Sequence, residues 1–345
     1  MQNITAIGNA ICDIIFQIEE KTLMQFDLPK GGMVLCDKQK CSSILEYLKN
    51  KNIPFSVSSG GSAANTISFL SQYGVNSTFI GNVSNGYYGK KYITELQNEK
   101  IRFINTHKES HEETAKSIIL VTPDGERTMC TYLGCASEIS LEKREEEVIK
   151  NQSILYVEGY LWDRAVTKRT ISSLINTTRD KDGQVALSLS DSFCVERHLT
   201  EFRKLANEQV DLLFGNEHEI LALYDIDSLS ESNLMVLQAN LEVSSLKNLI
   251  ITRAEKGAII ITKNKIDFID SKKKNALDCT GAGDSFAAGF LYGYINKFSN
   301  YDSALIANNI AGKVIEHIGA RPKINLPKTI SDIEDLNEIN ASKVS

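Results

Sequence analysis

The chain has no surplus of positive charge. Lys and Arg number 38 against 44 Asp and Glu in 345 residues, a formal net charge of -6. That excludes the basic footprint by which proteins grip nucleic acid. The one basic run, Lys272-Lys273-Lys274, reads as a solvated loop. Long apolar runs are missing too: none approaches the roughly 20 residues that span a bilayer. The N-terminal segment enters a strand-like pattern with no basic-then-apolar leader. Cysteine is thinly spread: seven residues, an odd number, with no Cys-x-x-Cys pair, scattered through apolar segments. Such usage suits a reduced, cytoplasmic protein rather than a disulfide framework. Histidine is scarce, and His218, between Glu217 and Glu219, has no zinc-ligand spacing and reads as solvent-exposed. No internal repeat or low-complexity linker divides the chain.

What is present is enough apolar residue, 42% of the total, to build one large core or two modest ones. Residues Thr5 to Ile18 run apolar, interrupted at Gly8-Asn9, with Asp13 inside a hydrophobic strand. A buried carboxylate there needs a partner such as a ligand hydroxyl; an edge strand facing water is the equal alternative. A short strand over Met33–Cys36 and a helix from about Lys38 to Lys49 follow. The cluster Ser58-Ser59-Gly60-Gly61-Ser62 reads as a turn into a helix bearing Asn65, where glycines allow a ligand to approach or simply make a turn. A strand over Thr78–Ile80 and a helix near 89–98 come next. Ala115–Thr122 and Glu126–Leu133 read as a hairpin carrying Arg127, which is either solvated or a lid arginine for a phosphate. From Ile154 strands and helices alternate: strands at 154–157, 185–189 and 211–214, with helices near 165–178 and 196–207. That pattern predicts a parallel sheet with helices on both faces. Asn216 then starts a helix after a strand, as a ligand-side residue or a plain cap. Leu249–Thr252 reads as a buried strand, and 257–262 with 265–269 as a hairpin.

One stretch gathers the chemistry: Leu277-Asp278-Cys279-Thr280-Gly281-Ala282-Gly283-Asp284-Ser285-Phe286. Apolar residues at Phe286, Phe290 and Tyr294 put a helix from about Gly283 to Lys297, with Asp284 at its start. The bare backbone of Gly281, Ala282 and Gly283, with the positive helix end, makes an anion site. Asp284 would repel an anion but suits a base, taking a proton from a hydroxyl that attacks a phosphoryl group held by the amides. A bare Gly-x-Gly-Asp more often reads as a first-turn acid at an ordinary helix start. The string is neither a Walker loop, for no Gly-Lys-Ser/Thr follows, nor a Rossmann fingerprint, for Phe286 stands in place of the third glycine. A second helix, from about Asp302 to His317, closes the core.

The 278–284 string resembles the Asp-Thr-x-Gly-Ala-Gly-Asp signature of the ribokinase-like (PfkB-type) carbohydrate and nucleoside kinases, with Cys279 in place of the usual Thr. The resemblance runs from about Ile4 to Pro322 and is greatest to the family's adenosine kinases. It implies an α/β fold: a three-layer α/β/α sandwich with a mostly parallel sheet and a small β-sheet lid. One kinase domain, 1–325, would carry lid strands at about 13–36 and 115–133, followed by a polar tail, 326–345. By the same likeness Asn9, Ile11, Asp13, Gly60, Gly61 and Asn65 bind the sugar, while Leu133 and Phe193 cover the base. Asn216, Thr252, Arg253, Gly257, Gly283 and Asn308 bind ATP, although Ala254 replaces the first glycine of the 252–257 turn. Glu219 serves Mg2+ through water, and Asp278 and Thr280 fall where some members bind K+. Asp284, Gly281, Ala282, Gly283 and Arg127 form the implied catalytic set. Tyr160 and Trp162, with Phe193, are candidates for a stacking wall or for core. The implied reaction is ATP-dependent phosphorylation of a nucleoside 5′-hydroxyl, adenosine to AMP. A sugar kinase of the same fold, or a non-catalytic nucleoside sensor, stands as the alternative. The partner is a small molecule, and the chain a monomer or a lid-mediated homodimer.

Overall fold

The computed structural model describes residues 3–106, 112–142, 152–272 and 274–325. The polar tail over 326–345 lies outside them. Strands β1 (Asn3–Ile7), β5 (Asn76–Gly81), β6 (Arg102–Asn105), β9 (Ile154–Glu158), β10 (Gln184–Ser188), β11 (Leu212–Asn216), β12 (Asn248–Thr252), β13 (Ala258–Ile261) and β14 (Ile266–Ile269) form one sheet. Their order is β14-β13-β12-β11-β10-β9-β1-β5-β6, parallel from β12 to β6, with β13 and β14 an antiparallel edge hairpin.

The central strands are apolar on both faces, as a parallel sheet covered on both sides requires. Tyr156, Ala186, Leu212 and Ile250 face a core shared with the helices Ser62–Gln72, Ala282–Ile295 and Asn300–Val314. Their neighbours Val157, Leu187, Leu213 and Ile251 face the opposite core, under the helices Ala165–Arg179, Leu199–Glu208 and Glu231–Val243. Each buried Val, Leu or Ile among them contributes about 1.5–3 kcal/mol by leaving water. Among the described residues no helix is long and apolar enough to cross a membrane.

A second sheet has the order β3-β8-β7-β2-β4, from β2 (Ile11–Gln17), β3 (Met33–Leu35), β4 (Phe55–Gly60), β7 (Ala115–Val121) and β8 (Arg127–Tyr132). Its core packs under the helix Lys38–Asn50 through Ile14, Phe16, Leu48 and Leu120. The large sheet with helices on both faces, joined to a small sheet, is the architecture the resemblance implies.

Three local readings change. The apolar run 5–18 is two strands in different sheets, because the backbone leaves the large sheet at Gly8 and enters the small one at Ile11. The small sheet also includes β4, whose Ser-rich end reads as a turn in the sequence; it is held there by pairing with β2, Asp13 opposite Ser58 and Ile11 opposite Gly60. The helix expected over 196–207 breaks at His198 into Ser192–Arg197 and Leu199–Glu208.

Candidate active site

The helix Ala282–Ile295 begins after Gly281, whose φ of +77° is a left-handed conformation that glycine adopts without strain. The Ala282 N–H turns back to Cys279 O at 3.2 Å. Of the three amides expected to form an anion site, Gly281 and Gly283 are therefore the open ones. Gly283 faces empty space: nothing lies within 4 Å of where a Cβ would stand. Asp284 follows in the first turn. Its Oδ1 accepts from Ser62 Oγ at 2.7 Å and its Oδ2 from Asn65 Nδ2 at 2.7 Å. Burial raises the proton affinity of this carboxyl, while Ser62, Asn65 and the Arg321 cation pull it back. The result is a held, electron-rich carboxylate beside unclaimed amides, an arrangement able to accept a proton next to a bound anion.

Ser62 and Asn65 owe their position to the turn before their helix. Glu158, 1% exposed, ends β9 and ties the start of that helix to the link between β1 and β2. Its Oε1 accepts from Asn9 N at 3.2 Å and Asn9 Nδ2 at 2.8 Å, and its Oε2 from Ala63 N at 2.9 Å. Burial pushes the Glu158 carboxyl up to about 7 despite these donors.

Asp284, Gly283, Asn216, Glu219, Thr252 and Asn308 line a cavity of about 790 Å³ at the carboxyl ends of the central strands. That is a volume suited to a nucleotide. Asn216 and Glu219 form a reciprocal cap on the helix Glu217–Tyr224: Asn216 Oδ1 accepts from Glu219 N at 3.0 Å, and Glu219 Oε2 from Asn216 N at 3.0 Å. The capping reading of Asn216 thus holds, with its side chain still on the cavity wall. Ala254, also on this wall, takes a left-handed φ of +48°, the conformation expected of a glycine there. Glu219 is the buried carboxylate of this wall; its Oε1 accepts from Asn216 Nδ2 at 2.6 Å and its Oε2 from Asn216 N, so it suits Mg2+ held through water rather than directly, and burial with Asp191 nearby pushes its carboxyl up to about 7. Magnesium held by one carboxylate keeps most of its waters and the substrate phosphates as ligands.

A second cavity, about 750 Å³, is lined by Asp13, Ser58, Arg127, Thr280 and Arg321. Asp13 projects from the small sheet into it, its carboxyl pushed up to about 6 by burial against the pull of Arg321 and Arg127.

The residues do not fit a potassium ion at Asp278 and Thr280. Asp278 Oδ1 accepts from Thr280 N at 2.9 Å, Oδ2 from Gly319 N at 2.7 Å, and the Arg127 guanidinium closes on Oδ2 as well. Burial works to raise this carboxyl, yet the Thr280 and Gly319 donors and Arg127 outweigh it and hold it below the ordinary range. The place beside the carboxylate is filled by N–H donors, one of them already a cation. The melting temperature should therefore rise no more in KCl than in equal NaCl or choline chloride. A potassium-specific gain of several degrees would show that an ion displaces Arg127.

Other expected residues lie off both cavities. Phe193 is 69% exposed, and Trp162 packs edge-on against Phe202 at 5.6 Å in the core. Tyr160 bonds Ser190 O at 3.3 Å. No aromatic wall for a base is assembled from these three. Leu133 begins the turn after β8, Ile11 pairs with Gly60, and Gly257 closes the 254–256 turn. Arg253 pairs with Glu217 at 3.6 Å. Three residues that no motif flagged as functional join the site: Ser62, Glu158 and Arg321. A charged residue ending the apolar run of β9 is a signal for Glu158; nothing local marks Arg321.

The family model for pfkB family carbohydrate kinases matches residues 34–327. A nucleoside kinase of Methanocaldococcus jannaschii is 25% identical over 339 residues, 98% of either chain. Among solved structures, an adenosine kinase from Sinorhizobium meliloti is 32% identical with a TM-score of 0.83, covering 96% of this chain and 99% of that one. A probable sugar kinase from Rhizobium etli, also 32% identical, gives a TM-score of 0.84 over 96% of this chain and 98% of its own. With its Gly-Ala-Gly-Asp helix start, its two cavities and this match, the chain belongs to the PfkB carbohydrate kinase family, whose members are ATP-dependent kinases of alcohol hydroxyls.

Proposed function

We propose that the chain transfers the γ-phosphoryl group of ATP to the 5′-hydroxyl of a nucleoside, with adenosine the preferred acceptor. One observation carries this reading. The Asp284 carboxylate, raised in proton affinity, stands on the wall of the nucleotide-sized cavity and is tied through Asn65 and Arg321 to the wall of the second. ATP takes the first cavity and the nucleoside the second. Asp13, with no donor of its own among the described residues, accepts ribose hydroxyls, and the second N–H of Asn65 assists. Asp284 takes the proton of the attacking 5′-hydroxyl. The Gly281 and Gly283 amides steady charge on the transferring group. Glu219 would hold Mg2+ through water, and the ion would supply positive charge to offset that of the phosphates. Closing the small sheet over the acceptor excludes water as a competing nucleophile. Arg127 reaches the reaction only by exchanging Asp278 for a phosphate, and its Nε, buried with no partner among the described residues, is a spare donor for that exchange.

A bare sugar is the second reading, favoured by the absence of Phe193, Tyr160 and Trp162 from both cavities. Coupled ADP release over a panel of nucleosides and sugars decides between them. Adenosine should give the highest kcat/KM. A better rate with ribose or fructose would hand the site to a sugar. Nucleoside binding by calorimetry with no ADP released from any acceptor would make the chain a sensor.

A further inference from the structure

Arg321 sits beyond the last helix, in the turn Gly319-Ala320-Arg321-Pro322, with its side chain only 10% exposed. Its guanidinium reaches three separate elements. Nε donates to Asn65 Oδ1 at 2.7 Å, Nη1 to Ser59 Oγ at 2.7 Å, and Nη2 to Gly60 O at 3.4 Å. Glu99, after the helix Tyr87–Asn98, stands 3.5 Å from Nη1. Ser59 and Gly60 end the small-sheet strand β4, and Asn65 lies in the first turn of the helix that follows.

Resting on the nucleoside kinase reading, we propose that Arg321 is a positioning residue that fixes the Asn65 amide so that its N–H is presented to Asp284. An asparagine amide has a donating and an accepting end, and rotation by 180° exchanges them. A guanidinium only donates. With Nε on the Asn65 carbonyl, the amide nitrogen is the end that meets Asp284. Remove that donor and the amide is free to turn its oxygen toward the carboxylate, oxygen against oxygen. The carboxylate then loses the partner that aims it, and a small misplacement of a reacting group is costly in rate. Ser59 and Gly60 hold the guanidinium plane, so one charge serves the small sheet and the base together.

The charge has a second effect. Around Asp284 the ionisable groups are Arg321, Asp13 on β2, Glu158 at the end of β9, and Tyr156 on the same strand. Around Asp13 they are Arg321, Arg127 on β8, Asp284 and the neighbouring Cys12. Arg321 and Glu99 pair with each other, and Tyr92 of the helix Tyr87–Asn98 also feels the Arg321 charge. Among the described residues, Arg321 is therefore the one cation acting on both carboxylates that also bonds the amide between them. Lysine would supply the charge but not the fork that holds Asn65, Ser59 and Gly60 at once.

The two roles separate in two variants. Arg321→Lys should lose about ten- to a hundred-fold in kcat, the scale of a displaced catalytic group, with the acid limb of its pH–rate profile unmoved. Arg321→Met should lose at least as much, with the acid limb shifted up by about one pH unit, the scale of a lost neighbouring charge. A merely structural residue would lower the melting temperature in both variants and leave both profiles in place; that result overturns the inference, as does Arg321→Lys with wild-type kcat. Should the wild-type chain release no ADP with any acceptor, the nucleoside kinase reading fails by itself. Carboxyl NMR titration of Asp284 then decides: an unchanged midpoint in Arg321→Met overturns the inference, and an upward shift sustains it.

Discussion

Asp284→Asn is expected to lower turnover by about a hundred-fold or more, the scale of positioned acid–base catalysis, while nucleoside and ATP still bind. The variant keeps the shape of the site. Its amide oxygen can receive Asn65 Nδ2, and its amide nitrogen can donate to Ser62 Oγ, since a hydroxyl accepts as well as donates. Only the ability to take a proton disappears. The pH dependence follows from the same group. Burial raises the Asp284 carboxyl, so the wild-type rate should fall, as pH drops, at a higher pH than a free aspartic acid would impose. The variant should lack that limb. Linkage gives a second sign. A group whose folded pKa is raised stabilises the fold below its unfolded pKa, and that contribution is lost as pH rises through the folded value. At pH 8 the charged Asp284 is thus a cost to the wild-type fold, and Asp284→Asn should melt no lower than wild type there. Near-normal turnover in the variant would take Asp284 out of the base role.

Gly61→Ala should be among the most damaging single changes to the fold. Gly61 has φ +96°, and a Cβ there would stand 2.1 Å from Asn9 O. The obstacle is main chain, and it is anchored, because Asn9 is bound by Glu158 through both its backbone and side-chain nitrogens. Neither side of the contact has an inexpensive way to yield. Strain at a left-handed position plus a displaced, buried hydrogen-bond set should cost on the order of 3 kcal/mol or more. Denaturant unfolding measures it, and Gly283→Ala is the control. Nothing lies within 4 Å of a Cβ at 283, so that variant should unfold like wild type. Equal midpoints for the two would contradict the clash.

The Gly-Ala-Gly-Asp helix start was legible because small residues, a lone acid and a helical apolar period coincide over 281–294. The parallel strands were legible because β9 to β12 are short apolar runs separated by helical periods. What sequence reading missed depends on distant partners. Strand β4 has a serine-rich end with weak strand preference and is held by β2 rather than by its own residues. Arg321 lies 256 positions from Asn65, and a single arginine in a turn carries no mark of the residue it will meet. Glu158 looks like an ordinary strand end until Asn9 and Ala63 are brought to it. Trp162, open in the sequence between a ligand wall and core, is claimed for the core by packing on Phe202.

The Glu158 carboxylate touches the chain where it departs for the small sheet, at Asn9, and again where it comes home, at Ala63. Both ends of that excursion therefore share one pivot. A swing of the small sheet about it would carry Asp13 away, and Arg321 would have to give up Ser59 and Gly60 while keeping Asn65 for Asp284 to stay aimed. On the proposed reading, the acceptor molecule would then be let go by retreat of its outer grip, while Asp284 kept its aim for the next one.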